Sequence, residues 1–268
     1  MGRSSVNESD FIEFLKQVLP LMGYRWRRFE RRNVRRRIRT RMESLEIHEW
    51  KKYAKCVELD AAERNVLDYL LRLTITRFFR NAWLWPEAGS LIADIDRLLD
   101  GKEKFKVWSA GCASGEEPFS LAMLLDGLER SGRLHCPWTV LGTDTDAASL
   151  ARTKAAGYRW GSVREVPREL LERWFREKDG KWFLDDEIRK MVTFMNHDLI
   201  QMNPPGRFHM VFLRNSILTY NTDEIQLRVL NRIRDCLLEP GYLVIGRTET
   251  LPEGAGFDQV SKCIYQLT

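Results

Sequence analysis

The chain has 268 residues, 30% of them charged and 44% hydrophobic, with a formal charge of +5. That composition excludes a disordered or fibrous protein, and no apolar run approaches the roughly 18 residues that span a bilayer. The charge is uneven: 19 basic residues stand against 11 acidic ones up to Arg80 (net +8), and 24 against 27 beyond it (net −3), so the first third is built to meet an acidic partner.

Residues 11–56 read as short helices. In Arg31–Leu45 the apolar residues Val34, Ile38, Met42 and Leu45 recur at helical spacing and make one stripe. The rest of that helix is mostly arginine: ten lie between Arg25 and Arg41, against the single Glu30. Such a run is either a solvated face or a docking face. Like charges so close repel, which favours docking, with Arg32, Arg35, Arg36 and Arg39 as substrate-binding candidates. No zinc-finger spacing, clear helix-turn-helix or RNP-type aromatic motif accompanies the charge, so nucleic acid is not the expected partner. A second helix is expected over Ala61–Thr76, followed by an aromatic stretch with Phe78, Phe79, Trp83 and Trp85. Large aromatics are mostly core, and an aromatic-lined acceptor pocket is the secondary reading.

From Phe105 onward strands and helices alternate, the pattern of a doubly wound α/β sheet. Strands are expected at 104–110, 138–143, 210–213 and 242–245, helices at 118–128, 146–156 and 222–238, a hairpin around Lys178–Lys181, and a further apolar segment at Met191–Met195. The domains implied are residues 1–72, small and all-α, and residues 73–268. The five cysteines (Cys56, Cys112, Cys136, Cys236, Cys263) include no C-x-x-C pair and no zinc-type histidine spacing, so neither a disulfide framework nor a metal is expected. The N-terminal MGRSSVNESD has no apolar core of a leader, and a cytoplasmic location follows as the simplest expectation.

The turn from Ser109 to Pro118 (SAGCASGEEP) sets Gly111 and Gly115 where a nucleotide must approach the backbone closely. It is neither G-x-G-x-x-G nor a phosphate loop. It carries instead two carboxylates, Glu116 and Glu117, which repel phosphate and suit a cationic cofactor; S-adenosylmethionine, with a sulfonium, an ammonium and no phosphate, meets that description. Asp144, at the end of the next strand, stands where nucleotide-binding sheets place an acid on the ribose hydroxyls, and Asp146 is the better candidate to cap the following helix.

These residues carry a resemblance to the CheR-type chemoreceptor glutamate methyltransferases. It runs nearly end to end: Arg35–Met42 (RRRIRTRM), Thr76–Arg80 (TRFFR), Val107–Met123 (VWSAGCASGEEPFSLAM), Thr143–Asp146, Gly157-Tyr158, Phe212–Asn215, Leu238–Leu243 and Gly246–Glu249. The resemblance implies a helical N-terminal domain and a class I, Rossmann-like methyltransferase domain with a minor antiparallel insertion, expected near Lys181–Met195. It further implies methyl transfer from S-adenosylmethionine to a glutamate carboxylate of an acidic, helical chemoreceptor region by a monomeric enzyme without membrane insertion. By motif position the cofactor contacts fall on Thr74, Thr76, Arg80, Gly111, Glu116, Glu117, Asp144, Asp198, Leu199, Leu213, Arg214 and Asn215, without resolving which of the two glutamates makes contact. The catalytic set is Arg80, Asp144 and Tyr220. Arg80 is the positioning cation, with a structural salt bridge at the domain junction as its competing role. Tyr220 stands one place beyond Thr219, which occupies the family's tyrosine position.

The family pattern also has Asn at 74 and 198, Asp at 81, and His-Ser where Arg247-Thr248 stand. Cofactor binding tolerates such changes more readily than acceptor identity does, so a CheR-like enzyme with another acceptor, or a cofactor-binding module without turnover, are the alternatives. His48, His135, His197 and His209 are isolated, consistent with a reaction whose carboxylate nucleophile is already ionised at neutral pH.

Overall fold

A computed structural model describes residues 2–72, 76–101 and 103–268. The chain divides into two compact units, Met1–Thr74 with Thr219–Gln226, and Ile75–Leu218 with Leu227–Thr268.

The first unit is helical: α1 (Gly2–Val18), two 3-10 turns (Pro20–Met22 and Trp26–Phe29), α2 (Arg32–Ser44), α3 (Trp50–Leu59) and α4 (Ala61–Leu71). The stripe expected on α2 is inside: Val34, Ile38 and Met42 are buried and Leu45 packs against the same cluster, with Phe11, Phe14, Leu15, Trp50, Tyr53 and Leu67. Asp60 caps α4 by accepting from the Ala62 amide at 2.8 Å. That helix ends at Leu71, five residues before the expected Thr76. Glu63, 4% exposed, accepts from the Tyr53 hydroxyl at 2.7 Å and from Arg41 Nη2 at 2.7 Å. Burial pushes its carboxyl pKa up, but the hydrogen bonds and the Arg41 charge outweigh that and hold it below the ordinary value.

The segment Thr219–Gln226 belongs to this unit. Arg25 N donates to Tyr220 O at 2.8 Å, Thr222 N donates to Gly23 O at 2.9 Å, and Arg25 pairs with Asp223. Gly23 has φ +76°, a backbone conformation that glycine adopts without strain, and a Cβ there would also have to displace the end of the Ile225 side chain. The boundary expected at 72/73 carries no hint of this return.

The second unit comprises α5 (Leu84–Leu99), β1 (Phe105–Ala110), α6 (Glu116–Arg130), β2 (Trp138–Asp144), α7 (Ala147–Ala155), β3 (Gly157–Tyr158), α8 (Trp160–Val163), α9 (Arg168–Trp174), β4 (Phe175–Lys178), β5 (Lys181–Leu184), α10 (Asp186–Lys190), β6 (Val192–Asn196), β7 (Phe208–Leu213), α11 (Ile217–Tyr220), α12 (Asp223–Cys236), β8 (Leu237–Ile245), β9 (Phe257–Gln259) and β10 (Ile264–Leu267). Helices α11 and α12 run partly into the first unit, through the segment already described. The main sheet has the order β6-β2-β1-β7-β8-β10-β9. Its first five strands are parallel, and β10 is antiparallel to both neighbours. All six residues of β7 are buried, as a central parallel strand covered on both faces requires.

The hairpin expected around Lys178–Lys181 is present as β4–β5, but the insertion begins earlier than expected and overlaps the expected Lys181–Met195 only in β5. The small antiparallel sheet, β3-β5-β4, spans Gly157–Leu184, and Met191–Met195 falls mostly in β6, paired in parallel with β2 from Val140↔Val192 to Asp144↔Asn196. A short apolar run reads alike for an insertion strand or a main-sheet strand, and only the long-range pairing separates them. Neither helix α5 nor the hairpin β9–β10 is marked in the sequence pattern; the aromatic run at 78–85 obscures the start of the first.

Candidate functional site

The sheet order reverses between β1 and β7, and ligands of open α/β sheets bind in the crevice beyond the carboxyl ends of such strands. The loop leaving β1 is built of left-handed turns: Gly111 (φ +83°), Ala113 (φ +51°) and Gly115 (φ +92°). Four of its backbone donors are already used. Gly111 N and Cys112 N donate to Thr143 O at 2.8 and 2.9 Å, Gly115 N donates to Cys112 O at 3.0 Å, and Ala113 N donates to Asp144 Oδ2 at 2.8 Å. A phosphate needs such amides free, so the loop suits a ligand approaching through van der Waals contact and carboxylates, which agrees with a phosphate-free cationic cofactor.

Asp144 accepts a second bond, from Asp146 N at 2.8 Å on Oδ1, so each oxygen keeps lone-pair capacity for a hydroxyl while the backbone fixes the carboxylate. Asp146 caps α7 through Ala148 N at 3.1 Å. From β6, Asn196 Nδ2 donates to the carbonyls of Asp144 and Thr145 at 3.1 Å. Asp198 turns its carboxylate onto its own loop, accepting from Ile200 N at 2.8 Å and Gln201 N at 3.2 Å; Leu199 beside it is half-buried.

The two glutamates diverge. Glu117 Oε1 accepts from Ser109 Oγ at 2.7 Å and Oε2 from Arg214 Nη1 at 2.9 Å, across the β1–β7 junction. Glu116 is 2% exposed and accepts from Ser114 Oγ at 2.8 Å, and burial raises its pKa. Tyr158, on the insertion, donates to Ser114 O at 2.9 Å. Glu116 is thereby part of the joint between loop and insertion, and Glu117 is the carboxylate at the crevice.

Arg214 is the hub. Besides Glu117, its Nη2 donates to Arg80 O at 3.0 Å and to Asn81 Oδ1 at 2.8 Å. Its side chain is 2% exposed, and its Nε is buried without a hydrogen-bond partner. Phe79, Asn81 and Asn215, which flank these contacts, all have positive φ (+50°, +64° and +56°), so half of the chain's eight non-glycine residues with positive φ, counting Ala113 and taken over the described residues, belong to this site. Strain concentrated in that way marks functional sites. Glu249 closes the other side: its Oε2 accepts from Asn215 N at 2.9 Å and Gly246 N at 2.6 Å, joining the ends of β7 and β8.

Of the candidates from sequence, Gly111, Glu117, Asp144, Leu213, Arg214 and the backbone of Arg80 and Asn215 come together at the ends of β1, β2 and β7. Thr76 is half-buried at the start of the second unit, and Thr74 lies outside the described residues. Tyr220 belongs to the helical unit, where its ring centroid is 5.4 Å from that of Phe29. On α2, Arg32 and Arg36 are exposed, Arg35 stands 3.7 Å from Glu8, and the Arg39 guanidinium lies 5.8 Å from the Trp50 ring. Asn81 and Glu249 are the structural members that motif reading passed over: each appeared only as a position in a motif, and their partners lie 133 and 34 residues away.

A doubly wound sheet whose switch-point loop turns four of its amides inward and sets Glu117 and Asp144 at the crevice fits a class I methyltransferase domain that uses S-adenosylmethionine. Residues 74–265 match the family described as CheR methyltransferase, SAM binding domain, and the chain belongs to that family. It is similar to a chemotaxis protein methyltransferase of Listeria innocua, 29% identical over 252 residues that make up 93% of each chain. It is also similar to an uncharacterized 104.1 kDa protein of Rhodobacter capsulatus, 32% identical over 81% of this chain, of whose length it spans only 23%. Among solved structures, an S-adenosylmethionine-bound amino pentose methyltransferase from Micromonospora echinaspora aligns with TM-score 0.35 and 14% identity, covering 68% of this chain and 60% of that one.

Proposed function

We propose that the protein methylates glutamate side-chain carboxylates in the acidic, helical cytoplasmic region of a chemoreceptor, acting as a cytoplasmic monomer. The observation that carries this reading is the alignment with a chemotaxis methyltransferase along 93% of both chains. The exposed arginines Arg32 and Arg36, with Arg35 and Arg39 beside them, support it by offering a cationic helix face to carboxylates.

Bound S-adenosylmethionine supplies the electrophilic methyl group. In this reading Asp144 holds the ribose hydroxyls, Asp198 and Leu199 border the base, and Gly111, Leu213 and the Arg214–Glu117 pair, with Asn215 and Thr76 adjacent, line the methionine side; Thr74 completes the set. Glu116 acts from behind the loop. Arg80 orients a carboxylate, of substrate or cofactor, through charge-assisted hydrogen bonds. Tyr220, one place beyond the family's tyrosine position, is the candidate to take that tyrosine's part. A glutamate with an ordinary pKa of about 4.3 is ionised at neutral pH, so the chain needs no strong general base; its work is alignment and exclusion of water.

Labelled-methyl transfer from S-adenosylmethionine to receptor membranes tests the reading. Base-labile label released as methanol is the expected result; label stable to base, or none from an enzyme that binds S-adenosylhomocysteine, would sink it. Thr219 and Arg247, where the family has other residues, favour a different acceptor as the second reading. Label appearing on another protein in a whole lysate distinguishes that outcome.

A further inference from the structure

Beyond the residues assigned above, a lysine resting on an aromatic ring stands beside the end of β8. Lys262 is exposed and its ammonium lies 5.9 Å from the centroid of the Trp83 ring, which is 40% exposed. Both are anchored by the site itself. Trp83 follows Asn81, which accepts from Arg214, by two residues. Lys262 precedes Cys263, whose carbonyl accepts from Ile245 N at 2.9 Å at the end of β8, next to the Gly246 amide held by Glu249. Asp144 and β6 mark the nucleoside half of the crevice, so the ends of β7 and β8 are the half left for the acceptor.

Lys262 makes no ion pair among the described residues. An exposed cation–π contact is weak compared with an ion pair to a carboxylate. Trp83 therefore holds the ammonium in place without neutralising it, and a carboxylate can recruit it at little cost. With Arg80 assigned to the reacting carboxylate, the carboxylate Lys262 recruits is a neighbouring one. On a helical acceptor, side chains three or four residues apart stand about 5–6 Å from each other on one face.

We propose that Lys262, poised on Trp83, is a specificity-determining residue that binds a second acidic side chain three or four residues from the glutamate being methylated. The proposal rests on glutamate methylation as the function. Its test uses the full-length enzyme with helical peptides carrying one acceptor glutamate and either Glu or Gln four residues before or after it. The parent enzyme is expected to show a KM at least fivefold lower for a Glu-flanked peptide, Lys262→Met to lose that preference, and Lys262→Arg to restore it. Trp83→Ala raises the KM two- to threefold, because the lysine must then be ordered on binding. Affinity for S-adenosylhomocysteine by calorimetry stays unchanged in all three variants. A Lys262→Met enzyme that discriminates as the parent does, a parent that does not discriminate, or a variant that loses kcat with KM unmoved overturns the assignment. A parent that binds S-adenosylhomocysteine but methylates neither peptide refutes the function itself, and this inference with it.

Discussion

Replacing Asp96 by Asn isolates how the scaffold beneath the site is held. Asp96 projects from α5 with 3% exposure and gathers the loop that leads into β2: Oδ1 accepts from Cys136 N at 2.8 Å and His135 N at 3.0 Å, and Oδ2 accepts from His135 Nδ1 at 2.9 Å. Burial alone would raise its pKa, but the bonds from Cys136 and His135 outweigh burial and lower it from 3.8 to about 2. At about 1.36 kcal/mol per pH unit, that drop contributes about 2.5 kcal/mol of stability at neutral pH. Because the folded-state pKa lies below the unfolded one, the contribution is complete above 3.8 and disappears as pH falls through about 2. By the same linkage relation about 1.3 kcal/mol remains at pH 3. Asn also turns an amide toward backbone donors and leaves one unpaired, for about 1–3 kcal/mol more. Urea unfolding followed by tryptophan fluorescence should therefore show Asp96→Asn at least about 2.5 kcal/mol less stable at pH 7, with the gap narrowing by about half of that at pH 3. The His135 ring is 70% exposed, so His135→Ala, which keeps both backbone donors, should cost less than about 1 kcal/mol. A gap that does not change between pH 7 and pH 3, or one under about 1 kcal/mol at pH 7, refutes the reasoning.

Arg80→Lys, which keeps the charge and loses the fork, is expected to reduce turnover at least about tenfold; equal rates for variant and parent exclude the positioning role. Arg32→Glu with Arg36→Glu should raise the KM for the acceptor and leave S-adenosylhomocysteine affinity intact. Arg37 is left out of that pair because its Nη1 holds the carbonyls of Leu70 and Arg72 at 3.3 and 2.8 Å, and reversal there would disturb the fold. Arg214→Met strands Glu117 and should cost about 3–5 kcal/mol of stability, the range for breaking a buried ion pair. Adding Glu117→Gln should recover part of that loss in chemical denaturation; a purely additive double variant shows the pair to be uncoupled. Tyr220→Phe leaves the packing on Phe29 in place, so unchanged kinetics removes the hydroxyl from the reaction.

What could be read without coordinates was local. The stripe on α2 and the small-residue turn after β1 announce themselves within fifteen residues, because helical periodicity and loop chemistry act over that range. The same holds for Asp146 as a cap. The hairpin of the insertion is legible from its turn, but its extent is not: β6 and an insertion strand share one local pattern, and only the pairing Val140↔Val192 separates them. Glu116 and Glu117 are adjacent and chemically identical in sequence; Ser114 and Arg214 give them different work. Glu249 could not be recognised as a clamp until β7 and β8 were brought side by side.

The return of residues 219–226 to the helical unit bears on the order in which this protein can be made. At about 5–20 residues per second, the first 72 residues leave the ribosome on the order of 10–30 s before the segment that pairs with Gly23–Arg25 exists. Over that interval Tyr24 and Arg25 have no Asn221 or Asp223 to meet, and the apolar cluster lacks Tyr220. The arginine-rich helix therefore completes its surroundings only after most of the methyltransferase sheet has been synthesised, and a gene cut at residue 72 would yield a unit permanently missing one of its own parts.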